Sequence, residues 1–232
     1  MPLKTASYSS QNGTPGVRAH LKPGDIIAFS GKGHFSEIIK WATCSQVSHV
    51  GIVYESKVLL DGEAQEGCVV DIMESTTLHT DPATGQRVAG VQRNRMSLRL
   101  KYYEGDMWWL PLSEESRAKL DLVKFTNFLL HYEGRPYDMP QAVKSALDAM
   151  DGISILNLAT YNNEDFASFF CSELAAAALE AGGVINNINA SEVTPIDLCA
   201  FNIFAQDYYQ IKGNEKNISD FNSREAENFG TR

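Results

Sequence analysis

ASFFCSELAAAALEAGG, residues 167–183, decides how the rest of this chain is read. Ala175–Ala178 and Leu179 are strong helix formers, and Gly182-Gly183 supplies the left-handed stop that ends many helices. The pattern predicts a helix over about 170–181, with Cys171 in its first turn. A thiol placed there feels the positive end of the helix dipole, which favours thiolate. A cysteine can equally be a small buried hydrophobe, so the surrounding chain has to decide between the two.

The 232 residues are 44% hydrophobic and 21% charged, values of an ordinary globular chain able to build a full core. A net charge of −9 argues against nucleic acid or an anionic membrane surface as the main partner. No run of about 18 apolar residues offers an integral membrane segment. The opening MPLKTASYSSQNGTPG lacks the apolar stretch of a secretory signal, so the expectation is a cytoplasmic protein, or one delivered by another route. Four cysteines without paired spacing make a disulfide framework unexpected, and no C-x-x-C or H-E-x-x-H pattern points to a metal. Polar composition marks residues 1–19 and 213–232 as flexible tails around a single domain, 20–212.

Within that domain, PGDIIAFS (23–30), QVSHVGIVY (46–54), CVVDIMEST (68–76) and DMWWLPL (106–112) read as strands. FSEIIKWAT (35–43) fits a short helix. Ser113 caps a helix running to Gly134, and Pro140 opens another through Met150. Strands gathered first and helices later predict an α+β arrangement rather than alternating βαβ units.

A nucleophilic thiol needs a base and a group that orients it. Of His20, His34, His49, His79 and His131, only His49 interrupts an apolar strand. Alternation places Val47, His49, Gly51 and Val53 on one face, with small neighbours that leave room for another element. On the next strand Cys68, Val70, Ile72 and Glu74 share a face, and Asp71 takes the opposite one. A carboxylate one strand away can accept the second imidazole N–H. A satisfied core histidine and a solvated strand-end glutamate remain the plainer readings of the same residues.

The pieces LKPGDIIAFSGKG, FSEIIKWAT, SHVGIVYE, DIMEST, EGRPYD, FFCSEL and VTPIDL, in this order from about residue 21 to 200, resemble the circularly permuted papain-fold hydrolases of the NlpC-like superfamily, the YiiX-like group in particular. Chain order carries part of the resemblance. His49 precedes Cys171 by 122 residues (171 − 49), the reverse of ordinary papain-like enzymes. The resemblance implies a permuted papain-like fold, an antiparallel sheet or small barrel packed against a helical layer. It implies Cys171 as nucleophile, His49 as general base, Glu74 as the residue that orients it, and Tyr137 lining the substrate site. Asp25 reads as a structural turn residue. The helix start would then polarise the thiol, and its free N–H groups would hold an oxyanion. The implied reaction is hydrolysis of an amide (in a peptidoglycan peptide, a protein or a small molecule) through an acyl-enzyme, with no metal or organic cofactor. Two alternatives share the fold: a lipid acyltransferase or thioesterase, and a catalytically silent binding module.

Overall fold

Apolar, β-branched runs separated by turn residues give the protein its sheet. The computed structural model describes residues 2–9, 16–32, 45–59, 67–76, 90–135 and 163–231. Strands β1 (Leu3–Thr5), β2 (Ile26–Gly31), β3 (His49–Leu59), β4 (Gly67–Thr76), β5 (Gly90–Arg95), β6 (Gly105–Leu110) and β7 (Tyr208–Lys212) form one sheet in the order β1-β7-β6-β2-β3-β4-β5. Every neighbouring pair is antiparallel except β1 with β7. The five helices among the described residues are α1 (Met96–Tyr102), α2 (Glu114–Lys119), α3 (Leu122–Tyr132), α4 (Asn163–Ala181) and α5 (Pro195–Ala200). The class is α+β, an antiparallel sheet packed against a helical layer, as the segregated strands and helices predicted. No helix among the described residues is long and apolar enough to cross a membrane.

Helix α4 packs across β3 and β4. Cys171, Leu174, Ala175 and Ala178, at the helical spacing i, i+3, i+4, i+7, are all buried and join Val50, Ile52 and Met73 in one apolar cluster. The alanine run therefore has a packing reason: methyl groups let the helix sit close to the sheet. At its end a Cβ on Gly182 would stand 2.7 Å from Leu120 Cδ1, and Gly183 turns the chain with φ +79. The opposite sheet face buries Ile27, Phe29, Val53, Val70, Ile72 and Met107 against the N-terminal segment and α1. Val47, expected on the His49 face, lies in the α4-side cluster instead. It precedes the first residue of β3, so strand alternation does not reach it.

Three expectations need correction. The helix expected from Ser113 to Gly134 is two, because Asp121 accepts hydrogen bonds from the N–H groups of Val123 and Lys124 and starts a second helix. The loose tails are packed where they are described. Leu3–Thr5 adds a parallel strand to β7, and Tyr8 is buried. After residue 213, Ile218 and Ala226 are buried, Phe221 stacks on Phe204, and Trp108 Nε1 donates to the carbonyl of Lys216 at 3.0 Å. Average polarity hid these sparse apolar anchors. The third correction concerns Cys171 and belongs with the site. The expected helices over 35–43 and 140–150, together with His34, Cys44, His79 and Tyr137, lie outside the described residues.

Candidate active site

Strand pairing brings His49 and Glu74 together. The β3–β4 ladder has Ile52 opposite Met73 and Val53 opposite Ile72, which continues to Gly51 beside Glu74. A Cβ on Gly51 would lie 3.5 Å from Glu74 Cβ. Glu74 reaches past Gly51 to the next residue on that face, two positions further along β3. There its Oε2 lies 2.7 Å from His49 Nε2. Asp71, the competing acid, faces Arg95 across the β4–β5 ladder and pairs with its Nε at 2.7 Å.

The thiol reaches the same histidine from α4. His49 hydrogen-bonds Cys171, and with Nε2 engaged by Glu74, Nδ1 is the nitrogen left for sulfur. The N–H of Val50 donates to Cys171 Sγ at 3.3 Å. Ser172 Oγ donates to the carbonyl of Val193 at 2.6 Å, tying this turn of α4 to the segment before α5. Cys171, His49 and Glu74 are all buried.

Cys171 does not begin its helix. It is the ninth residue of α4, which starts at Asn163. In the sequence, Asn163-Glu164-Asp165 is itself a helix-start signature. Two turns inside the helix the dipole contributes little to the thiol, because its effect is confined to the terminal turn. The N–H of Cys171 also belongs to the intrahelical ladder. The expected polarisation and oxyanion donors from a helix start therefore do not apply, and the charges that bear on the site are those around His49.

Those charges are strong. Burial by itself pushes the His49 imidazolium towards losing its proton. A negative charge and hydrogen bond at Cys171, then the hydrogen bond and charge of Glu74, more than reverse this, and His49 is raised to about 9. For Glu74 burial favours the neutral acid, yet its pKa is lowered, by the charge of Arg99 first and by His49 second.

Arg99 is the functional residue that sequence reasoning missed. It sits on α1, and its Nη2 donates to Glu74 Oε2 at 3.1 Å. Its Nε stands 2.7 Å from Glu74 Oε1, close enough for an ion pair but not aligned as a hydrogen bond. The guanidinium lies over the rings of Phe29 and Tyr103, at 5.0 and 5.2 Å. Phe29 also packs against the imidazole, with ring centroids 5.2 Å apart. Asn94 Nδ2 donates to Glu74 Oε1 at 3.0 Å, so both carboxylate oxygens are held. A signal was present: Met96 and Leu100 form the inward stripe of α1, with Tyr103 just past its end, and Arg99 falls on that side at i+3 from Met96. An arginine on the apolar side of a short helix calls for a buried anion.

Asp25 behaves as a structural residue. It is fully buried, pairs with Arg117, and accepts from Trp109 Nε1 at 2.9 Å and the Leu112 N–H at 3.0 Å. Among the described residues no group of three or more His, Cys, Asp and Glu side chains is placed to hold a metal ion.

Comparison with protein-family models gives no match for this chain, and comparison with curated proteins gives none. The chemistry rests on the geometry: a thiol joined to an imidazole, the imidazole to a carboxylate, the carboxylate to a guanidinium.

Proposed function

We propose that the chain is a cysteine hydrolase acting on an amide bond, related to the permuted papain-fold enzymes that its sequence resembles. One observation carries the reading: Cys171 and Glu74, 97 residues apart (171 − 74), meet the same buried imidazole from two sides. A thiol, a base and an orienting carboxylate in that order are what nucleophilic catalysis needs. His49 takes the thiol proton before the attack, and Cys171 Sγ meets the carbonyl carbon as a thiolate beside the imidazolium. The imidazolium returns that proton to the nitrogen as the C–N bond breaks and the amine leaves. Water then attacks the thioester, giving the acid and the free thiol. Glu74 holds the imidazole in the orientation that both transfers require. The substrate class is an amide in a peptidoglycan peptide, a protein or a small molecule.

The supporting test is chemical. Limited alkylation with iodoacetamide near neutral pH, read by peptide mass spectrometry, should label Cys171 ahead of Cys44, Cys68 and Cys199. The buried His49–Cys171 contact sets Cys171 apart, whereas burial pushes the Cys199 thiol up. Labelling that favours another cysteine would remove the nucleophile from the proposal.

A further inference from the structure

The site holds more charge than a thiol–imidazole pair needs. Glu74 is fully buried, and a buried carboxylate with one imidazolium to share between two anions is costly. Arg99 changes that count. Its guanidinium is permanently charged and is itself only 8% exposed. It contacts Glu74 through both Nη2 and Nε, and Phe29 and Tyr103 hold it from the sides. With Arg99 present, two cations (His49 and Arg99) stand against Glu74 and the sulfur. Tyr103 and Cys199, also near the sulfur, are both pushed up by burial and stay neutral, so they leave the balance unchanged.

We propose that Arg99 is a positioning residue that supplies the second positive charge of the site, allowing Glu74 and the Cys171 sulfur to be anionic together against one imidazolium. The inference rests on the hydrolase reading above. It goes further by making the reactive state of the thiol depend on a residue that acts through Glu74. Without Arg99 the buried group would hold two anions and one cation, and would take up a proton to restore neutrality. Removing the Glu74 charge as well would restore the balance with one anion and one cation.

This count predicts a rescue that a packing role cannot produce. The rate of Cys171 alkylation by iodoacetamide near neutral pH and the thiolate ultraviolet absorbance, with a Cys171→Ser baseline subtracted, are measured in full-length protein. Arg99→Met should lower both, the rate by about tenfold or more. Glu74→Gln added to Arg99→Met should raise the rate again, by at least about fivefold over the single variant. If Arg99 merely packs, the two substitutions add and the double variant is as slow as Arg99→Met or slower, which overturns the proposal. Arg99→Lys guards against misfolding of the methionine variant. It keeps the charge, so its thiolate absorbance should stay near that of the wild type, and loss of that band would also overturn the proposal. The underlying reading fails separately, if wild-type Cys171 is not the thiol that alkylates.

Discussion

At the residue scale, strand alternation narrows the partner of His49 to one of two acids, and the family resemblance favours Glu74. Asp71 and Glu74 lie three positions apart, so an extended backbone turns them to opposite faces and only one can share His49's side. Glu74 does, 2.7 Å from the imidazole, and Asp71 is occupied by Arg95. Glu74 stands opposite Gly51 in the ladder and reaches past it to His49. Arg99 escaped because its partner is 25 residues away on another element (99 − 74) and no local pattern couples them. The charge pattern has a consequence for stability. His49, ordinarily titrating near 6.5, is raised to about 9 in the folded protein, so folding favours its protonated form. A raised folded value means the stabilisation is fully present below about pH 6.5 and is lost as pH rises through about 9. The thermal midpoint of the wild type should therefore fall across that window, and fall less in His49→Asn. Equal falls in the two proteins would show that the imidazolium is not held in the fold.

At the element scale, strands with strong apolar alternation read well, and boundaries set by capping read poorly. The cores of β2, β3, β4 and β6 lie where apolar runs placed them, β-branched in the first three and aromatic in β6. The shorter strands β1, β5 and β7 carry mixed sequences such as GVQRNR and YYQIK, and they are strands because a neighbour supplies the ladder. The split between α2 and α3 turns on Asp121, whose carboxylate offers the backbone a better partner than helix continuation does. Helix α4 is the instructive case. Its alanine run and Gly-Gly stop place its end, but its start lies about two turns earlier than the propensity of that run suggests. Cys171 lies too deep in α4 for the helix N-terminus to act on it, whereas the charges around His49 face it wherever the helix begins.

At the scale of the whole molecule, the C-terminal segment closes the α4-side core. Ile218, Phe221, Ala226 and Phe229 all pack there, and the Ile218 N–H donates to the buried Tyr208 hydroxyl at 2.8 Å. Composition averaged these four residues into a polar background and lost them. Burying a side chain such as Ile218 is worth roughly 2 kcal/mol. Removal of residues 213–232 should lower the thermal midpoint by more than about 8 °C, since each kcal/mol shifts a chain of this size by about 2–4 °C. A truncated protein melting at the full-length midpoint would mean that the segment contributes nothing to the fold.

The central claim is that Cys171 carries an acyl group during turnover, with His49 as its base. Full-length protein is treated with an activated acyl ester, quenched in acid within seconds, and examined by peptide mass spectrometry. The account predicts one acyl adduct, a thioester on the peptide containing Cys171, that builds up in the wild type, decays on standing in buffer, and forms far more slowly in His49→Asn. An adduct on any other residue, or one that forms on Cys171 equally fast without His49, would contradict it.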